Sequence, residues 1–185
     1  MEIVIPLVEG FEEIEAVAVI DVLRRAGIKV TTVGAPSTIV LGAHGLQIVT
    51  DKKMDSIDFK EFDGIVLPGG PGHQNLLKSQ RLLDALADFN YKGKLVAAIC
   101  ASPLVLAKAG VLKDKKATIY PGMEREIPRP RPDKVVVDGN IITGQAPGSA
   151  IEFAIRIVEK LIGRDKANKL RKDLVHEAPP SLYNW

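Results

Sequence analysis

The segment Leu95-Val96-Ala97-Ala98-Ile99-Cys100-Ala101-Ser102-Pro103 decides the fold. Its first five residues are all apolar, which reads as a strand buried on both faces. Pro103 suits the first turn of a helix, because its fixed φ is preset and its missing N–H would have no partner there. A helix is expected over Pro103–Ala109, stopped by Gly110. A buried strand running straight into a helix is half of a βαβ unit.

The same alternation extends in both directions. Toward the N-terminus, Ile3–Val8 is an apolar strand, although Pro6 donates no ladder bond and conflicts with a central position. Glu12–Ala26 reads as a helix with acidic residues in its first turn and Gly27 as its stop. Ile28–Val33 is a strand, and Ile39–Val49 alternates loosely around Gly42 and Gly45 as a short hairpin. Gly64–Leu67 is a buried strand closed by Pro68-Gly69-Gly70-Pro71-Gly72, and Ser79–Phe89 is helical. Toward the C-terminus, Ala117–Ile119 and Val135–Val137 are short strands flanking the Pro/Arg-rich loop Pro121–Asp133. Asp138-Gly139-Asn140 then turns into a strand at Ile141–Thr143. Ser149–Ile162 is a helix, with Ile151, Ala154, Ile155, Val158 and Ile162 on one stripe. The pattern predicts an α/β protein: a flavodoxin-like, doubly wound, mostly parallel sheet with helices on both faces. Ligands of such sheets bind beyond the carboxyl ends of the strands. Glu9-Gly10, Pro68–Gly72 and Cys100 all fall there.

Composition narrows the function. The chain has 185 residues, 46% hydrophobic and 26% charged, with a formal net charge of +2. This is ordinary globular composition, with too little charge to imply nucleic acid or an anionic membrane. A single cysteine forbids an intrachain disulfide and suits a reducing cytoplasm. No basic, apolar leader and no run of roughly 20 apolar residues is visible, so a cytoplasmic protein without a membrane partner is expected.

Cys100 is the first chemical candidate. Most lone thiols are inert core residues. This one sits on a strand-to-helix turn, as in a nucleophile elbow. Helix N–H groups stabilise a thiolate, and thiols in such settings have pKa values of roughly 3.5–7.5, so a lowered value is expected. Gly69 and Gly70 make a tight turn whose bare backbone can approach a ligand and aim N–H groups at an oxyanion. Glu12 and Glu13 are accounted for by the helix dipole. Glu15 lies among Ile14, Ala16, Val17 and Ala18, on a helix apolar over more than one face, which hints at a subunit interface. A carboxyl group there keeps its proton and serves as a proton shuttle. His44, His73 and His176 are scattered without metal-ligand spacing, so no metal is expected.

Together these residues resemble the ThiJ/PfpI superfamily, closest to its DJ-one branch. The matching stretches are Glu9–Glu15, Asp21–Gly27, Leu67-Pro68-Gly69-Gly70, Ala97–Pro103, and Pro147-Gly148-Ser149 with Glu152-Phe153-Ala154. The resemblance covers about residues 1–175 as a single domain, leaving 176–185 as a tail whose Tyr183 and Trp185 are expected to pack. It implies a homodimer and a reactive Cys100. It also implies a protonated Glu15 beside the thiolate, and backbone donors at Gly70 and Ala101. Some relatives carry a histidine at the position aligned with Tyr120, which leaves Tyr120 and His44 as auxiliary candidates. The expected function is a cysteine-dependent, cofactor-independent glyoxalase or deglycase acting on reactive carbonyls such as methylglyoxal, or on glycated substrates. The alternative is a redox-sensing stress protein or chaperone whose Cys100 oxidises to sulfinate. A third reading, an intracellular cysteine peptidase, is disfavoured because Ala101 stands where protease-like members carry histidine.

Overall fold

The structure, a computed structural model, describes residues 1–176. The packing expected of Tyr183 and Trp185 lies outside the described residues. In chain order the elements are β1 (Glu2–Val8), α1 (Glu13–Arg25), β2 (Lys29–Ala35), β3 (Ile39–Leu41), β4 (Gln47–Val49) and β5 (Lys52–Lys53). They continue with β6 (Gly64–Leu67), α2 (His73–Leu76), α3 (Gln80–Tyr91), β7 (Leu95–Ile99) and α4 (Pro103–Lys108). The last are β8 (Val135–Asp138), β9 (Ile141–Gly144), α5 (Ala150–Ile162) and α6 (Arg164–Asp173).

Seven strands form one sheet in the order β5-β2-β1-β6-β7-β9-β8. All neighbours are parallel except β8 and β9. The winding direction reverses between β1 and β6, the doubly wound, flavodoxin-like order anticipated from the alternation. That switch point opens a crevice at the carboxyl ends of the strands. β3 and β4 make the separate antiparallel hairpin. The proline conflict resolves through register. β1 pairs with β2 along its whole length, but its ladder with β6 covers only Ile3 and Val4 and ends before Pro6.

Successive strand residues feed opposite faces, as a pleated strand requires. Ile3, Ile5, Leu7, Ala97 and Ile99 join a core with α1, α5 and α6, containing Leu23, Phe153 and Val158. Val4, Val96 and Ala98 join a second core with α3 and α4, containing Leu82, Leu86, Phe89 and Leu106. Burying both faces explains why these strands read as unbroken apolar runs.

Two departures from the sequence reading have local causes. Ala117–Ile119 is not a strand: it makes one isolated bridge, between Ala117 and Pro130. Proline cannot donate to extend a ladder, and the Thr118 N–H is already committed to Thr143 Oγ1 at 2.9 Å. α6 was not foreseen, because it is polar almost throughout. It buries only Ala167 and Leu170. It is tied to α5 by a two-pronged pair between Arg171 and Glu152, with Nη2 to Oε1 at 2.7 Å. Among the described residues no helix is long and apolar enough to cross a membrane.

Phe153 is fully buried where α5 meets the sheet. Phe153→Ala is expected to cost about 3–5 kcal/mol through lost burial and the cavity left behind, read as a lower denaturant midpoint in chemical unfolding.

Candidate active site

Three strand ends supply the site. Beyond β7 the chain turns so sharply that Cys100 takes φ 63, the left-handed region rarely occupied by a residue with a side chain. Such strain is held only where the surroundings over-determine it. Here the Cys100 N–H donates to Gly144 O at 3.0 Å, and the Cys100 carbonyl accepts from the Tyr120 N–H at 2.8 Å. The Ser102 N–H closes the turn onto Ile99 O at 3.1 Å. The elbow inferred from sequence is therefore present, and Cys100 is 8% exposed.

Beyond β1, α1 delivers Glu15, which is 0% exposed. Its helix is capped by Glu12, whose Oε2 accepts the Glu15 N–H at 2.9 Å. The Glu12 N–H in turn donates to Gly69 O at 3.0 Å, joining the start of α1 to the loop beyond β6. Gly69 N–H donates to Glu15 Oε2 at 2.7 Å. Glu15 Oε1 is buried with no hydrogen-bond partner among the described residues. A Cβ at Gly69 would stand 2.6 Å from Cys100 Cβ and 2.8 Å from Glu15 Oε2, so a bare backbone is required between the two. Gly70 has φ +88, and a Cβ there would meet Gly10 O and the Glu12 nitrogen. His73, at the start of α2, steadies this loop through Nδ1 and Gly70 O at 2.9 Å.

The electrostatics follow from burial. Desolvation pushes the Glu15 carboxyl from 4.5 up to about 7, with the Gly69 N–H opposing it and the Glu12 charge adding to it. Glu15 thus has the raised proton affinity anticipated for it. The pKa of the Cys100 thiol shifts opposite to the lowering anticipated. Burial, and next the negative charge of Glu15, push it up to about 12, while the N–H groups of Gly70 and Ala101 pull the other way. α4 also begins only at Pro103, so Cys100 stands ahead of the helix rather than on its first turn. The two groups do not ionise together: one charge and one proton are shared across the pair.

The auxiliary candidates are placed less centrally. Tyr120 is 46% exposed, and its backbone N–H is what touches Cys100. The His44 side chain is 74% exposed, and its Nδ1 lies 2.9 Å from Glu13 Oε2, so its partner is Glu13 rather than the thiol. Glu12, Glu13 and His44 offer ligand atoms within 4.8 Å of one another, the one grouping among the described residues able to hold a cation. Sequence spacing did not reveal it, since Glu13 and His44 lie 31 positions apart. Ser102, between the elbow and Pro103, belongs to the site as well. It is fully buried, and its Oγ donates to Pro68 O at 2.6 Å.

A doubly wound sheet with a cysteine on a strained elbow, a facing carboxyl and backbone donors defines a class of nucleophile-elbow α/β protein. Residues 1–160 match the model of the DJ-1/PfpI family, and the chain belongs to that family. It is 42% identical to the protein dj-1beta of Drosophila melanogaster, over 91% of this chain and 94% of that one. It is 36% identical to the glutathione-independent glyoxalase DJR-1.2 of Caenorhabditis elegans, over 90% and 91% of the two chains. The structure of Toxoplasma gondii DJ-1, in an oxidised form, superposes with a TM-score of 0.92 at 35% identity. The match covers 96% of this chain and 99% of that one.

The raised proton affinity of Glu15 makes a stability prediction. Between pH 4.5 and about 7 the native state holds a proton that the unfolded chain has released. Stability from this group is therefore complete below that window and lost as pH rises through it. Glu15→Gln removes the dependence. The stability difference between Glu15→Gln and wild type is expected to move in the variant's favour by about 3 kcal/mol between pH 4 and pH 8, measured by denaturant unfolding at each pH.

Proposed function

We propose that the chain is a cysteine-dependent glyoxalase or deglycase-type enzyme that needs no cofactor and acts on small reactive carbonyls such as methylglyoxal. The observation that carries this reading is Cys100 on its left-handed turn, with Glu15 facing it and the Gly70 and Ala101 N–H groups around its sulfur. Glu15 takes the thiol proton as Sγ bonds to the aldehyde carbon. The two N–H groups stabilise the oxygen that becomes negative, and Glu15 returns the proton to it. Glu15 next removes hydrogen from that carbon as a proton, and the electron pair moves toward the neighbouring carbonyl. Delivering that proton to the second carbon, while the hydroxyl proton of the first carbon passes to the oxygen of the second, leaves a lactoyl thioester. One carbon is oxidised and its neighbour reduced, so no external redox partner is consumed. Water then hydrolyses the thioester, releasing lactate and regenerating the thiol. The C. elegans relative, named a glutathione-independent glyoxalase, supports the same chemistry here.

A second reading has its own observation. The unpartnered Glu15 Oε1, buried beside Cys100, is placed to donate a hydrogen bond to an oxidised sulfur. Two equivalents of peroxide would convert the thiol to sulfinic acid and release two waters. The oxidised form of the Toxoplasma gondii structure supports this redox role. The peptidase reading gains no support, because His44 is engaged by Glu13.

The proposed assembly is a homodimer in a reducing cytoplasm, with no nucleic-acid or membrane partner. Ile14 and Val17 of α1 stay exposed, as do Ile39, Leu41, Leu46 and Val49 of the hairpin region. Ile14 lines a surface hollow with Leu46, and Val17 lines another with Val49. These exposed apolar side chains on α1 and the hairpin region fit a second copy of the chain. Ile14→Glu is expected to convert the dimer to monomer in sedimentation equilibrium.

Lactate formation from methylglyoxal tests the enzyme reading. Wild type is expected to turn over, with kcat/KM rising as pH climbs through about 7, where the pair loses its first proton. Cys100→Ser and Glu15→Gln are each expected to lower kcat/KM by a factor of roughly 100 or more. Full activity in Cys100→Ser would overturn the reading. Absent turnover, with two oxygens added to Cys100 by mild peroxide in mass spectrometry, would favour the redox role.

A further inference from the structure

The Pro68–Gly69 peptide is engaged on both sides by groups of the site. Its carbonyl oxygen accepts from Ser102 Oγ at 2.6 Å, and its N–H donates to Glu15 Oε2 at 2.7 Å. The hydroxyl, the peptide and the carboxyl group therefore form one hydrogen-bonded chain between the cysteine elbow and α1. Ser102 is 0% exposed and stands immediately before Pro103, where a serine ordinarily caps a helix. It makes no side-chain cap bond to α4, and its hydroxyl is spent across 34 residues on Pro68 O instead.

We infer that Ser102 is a positioning residue for Glu15, acting through the Pro68–Gly69 peptide. The hydroxyl does two things there. It fixes the peptide plane, so that the Gly69 N–H points at the carboxyl group. It also withdraws electron density from the amide, which makes that N–H a stronger donor, since hydrogen bonds in a chain polarise one another. Gly69 cannot be anchored by its own side chain, because a Cβ would strike both Cys100 and Glu15. The loop therefore takes its alignment from a neighbour. Glu15 is faced by Cys100 from the elbow, Glu12 from the start of α1, and the Gly69 N–H from the loop beyond β6. Of these, the Gly69 N–H most strongly favours its ionised form by donating to the carboxylate itself, and the Cys100 thiol favours it less. Weakening that donor moves the shared charge of the Cys100–Glu15 pair.

The test is NMR titration of the 13C-labelled Glu15 carboxyl group, with the Gly69 amide proton as a second reporter. Ser102→Ala is expected to raise the Glu15 midpoint by about half a pH unit and to move the Gly69 amide proton upfield. Ser102→Thr keeps the hydroxyl and is expected to restore both. Ser102→Cys nearly preserves the volume but donates weakly, and under reducing conditions it is expected to give intermediate values. It also serves if the alanine variant does not fold. A folded alanine or cysteine variant with an unchanged midpoint and an unchanged Gly69 amide would overturn the inference. The consequence for turnover rests on the enzyme reading above: the rise of kcat/KM with pH is expected to move upward with the midpoint. The NMR readout needs no substrate, so absent lactate formation with a shifted Glu15 midpoint would remove the enzyme reading and leave the role of Ser102 standing.

Discussion

Burying the Glu15 carboxyl group without a cationic partner among the described residues is the constraint around which the site is organised. A buried acid with no counter-charge keeps its proton or takes charge only where N–H groups meet it. Here the available N–H belongs to Gly69, and the neighbouring acid is the Cys100 thiol. Three consequences follow from that arrangement. Position 69 admits no side chain, the loop beyond β6 is tied to the start of α1 through Glu12, and the thiol is held on a left-handed turn. The doubly wound sheet supplies the setting, because only at its switch point do the ends of β1, β6 and β7 converge.

Charge is thereby a property of the pair rather than of either residue. A low-pKa cysteine is usually pictured beside a cation or on a helix terminus. This one has neither among the described residues: α4 starts three residues later, and the charged group beside it is the Glu15 carboxyl, which opposes ionisation. In the proposed mechanism, nucleophilicity instead comes from handing the proton to a carboxyl group whose own affinity has been raised toward neutrality. General-base activation of this kind works best when the base titrates near the operating pH.

Much of this was legible in the chain. β6 and β7 stand out because strands buried on both faces lack polar alternation, and their predicted limits at Gly64–Leu67 and Leu95–Ile99 match the structure. The elbow was readable because an apolar strand meets a helix-starting proline within four residues. What escaped depends on contacts distant in sequence. The direction of the Cys100 shift is set by burial and by Glu15, 85 positions away, whereas the helix-terminus argument was purely local. The role of Ser102 is invisible to local reading because its acceptor lies on another loop. Ala117–Ile119 has strand composition, but its neighbour across the bridge is a proline. α6 has almost no apolar stripe, and its attachment is an ion pair that periodicity does not register.

Cys100 is the sole cysteine of the chain, and it is 8% exposed at the centre of the site. Every thiol-directed reagent therefore reports on one location, with no background from other sulfur atoms. A small reagent reaches the sulfur through that narrow exposure. A bulky one must wait for the surrounding turns to part, so its modification rate measures how often they do so. The protein thus carries its own opening clock, read by comparing reagents of graded size. The same logic that excludes an intrachain disulfide makes the lone sulfur a built-in gauge of local motion.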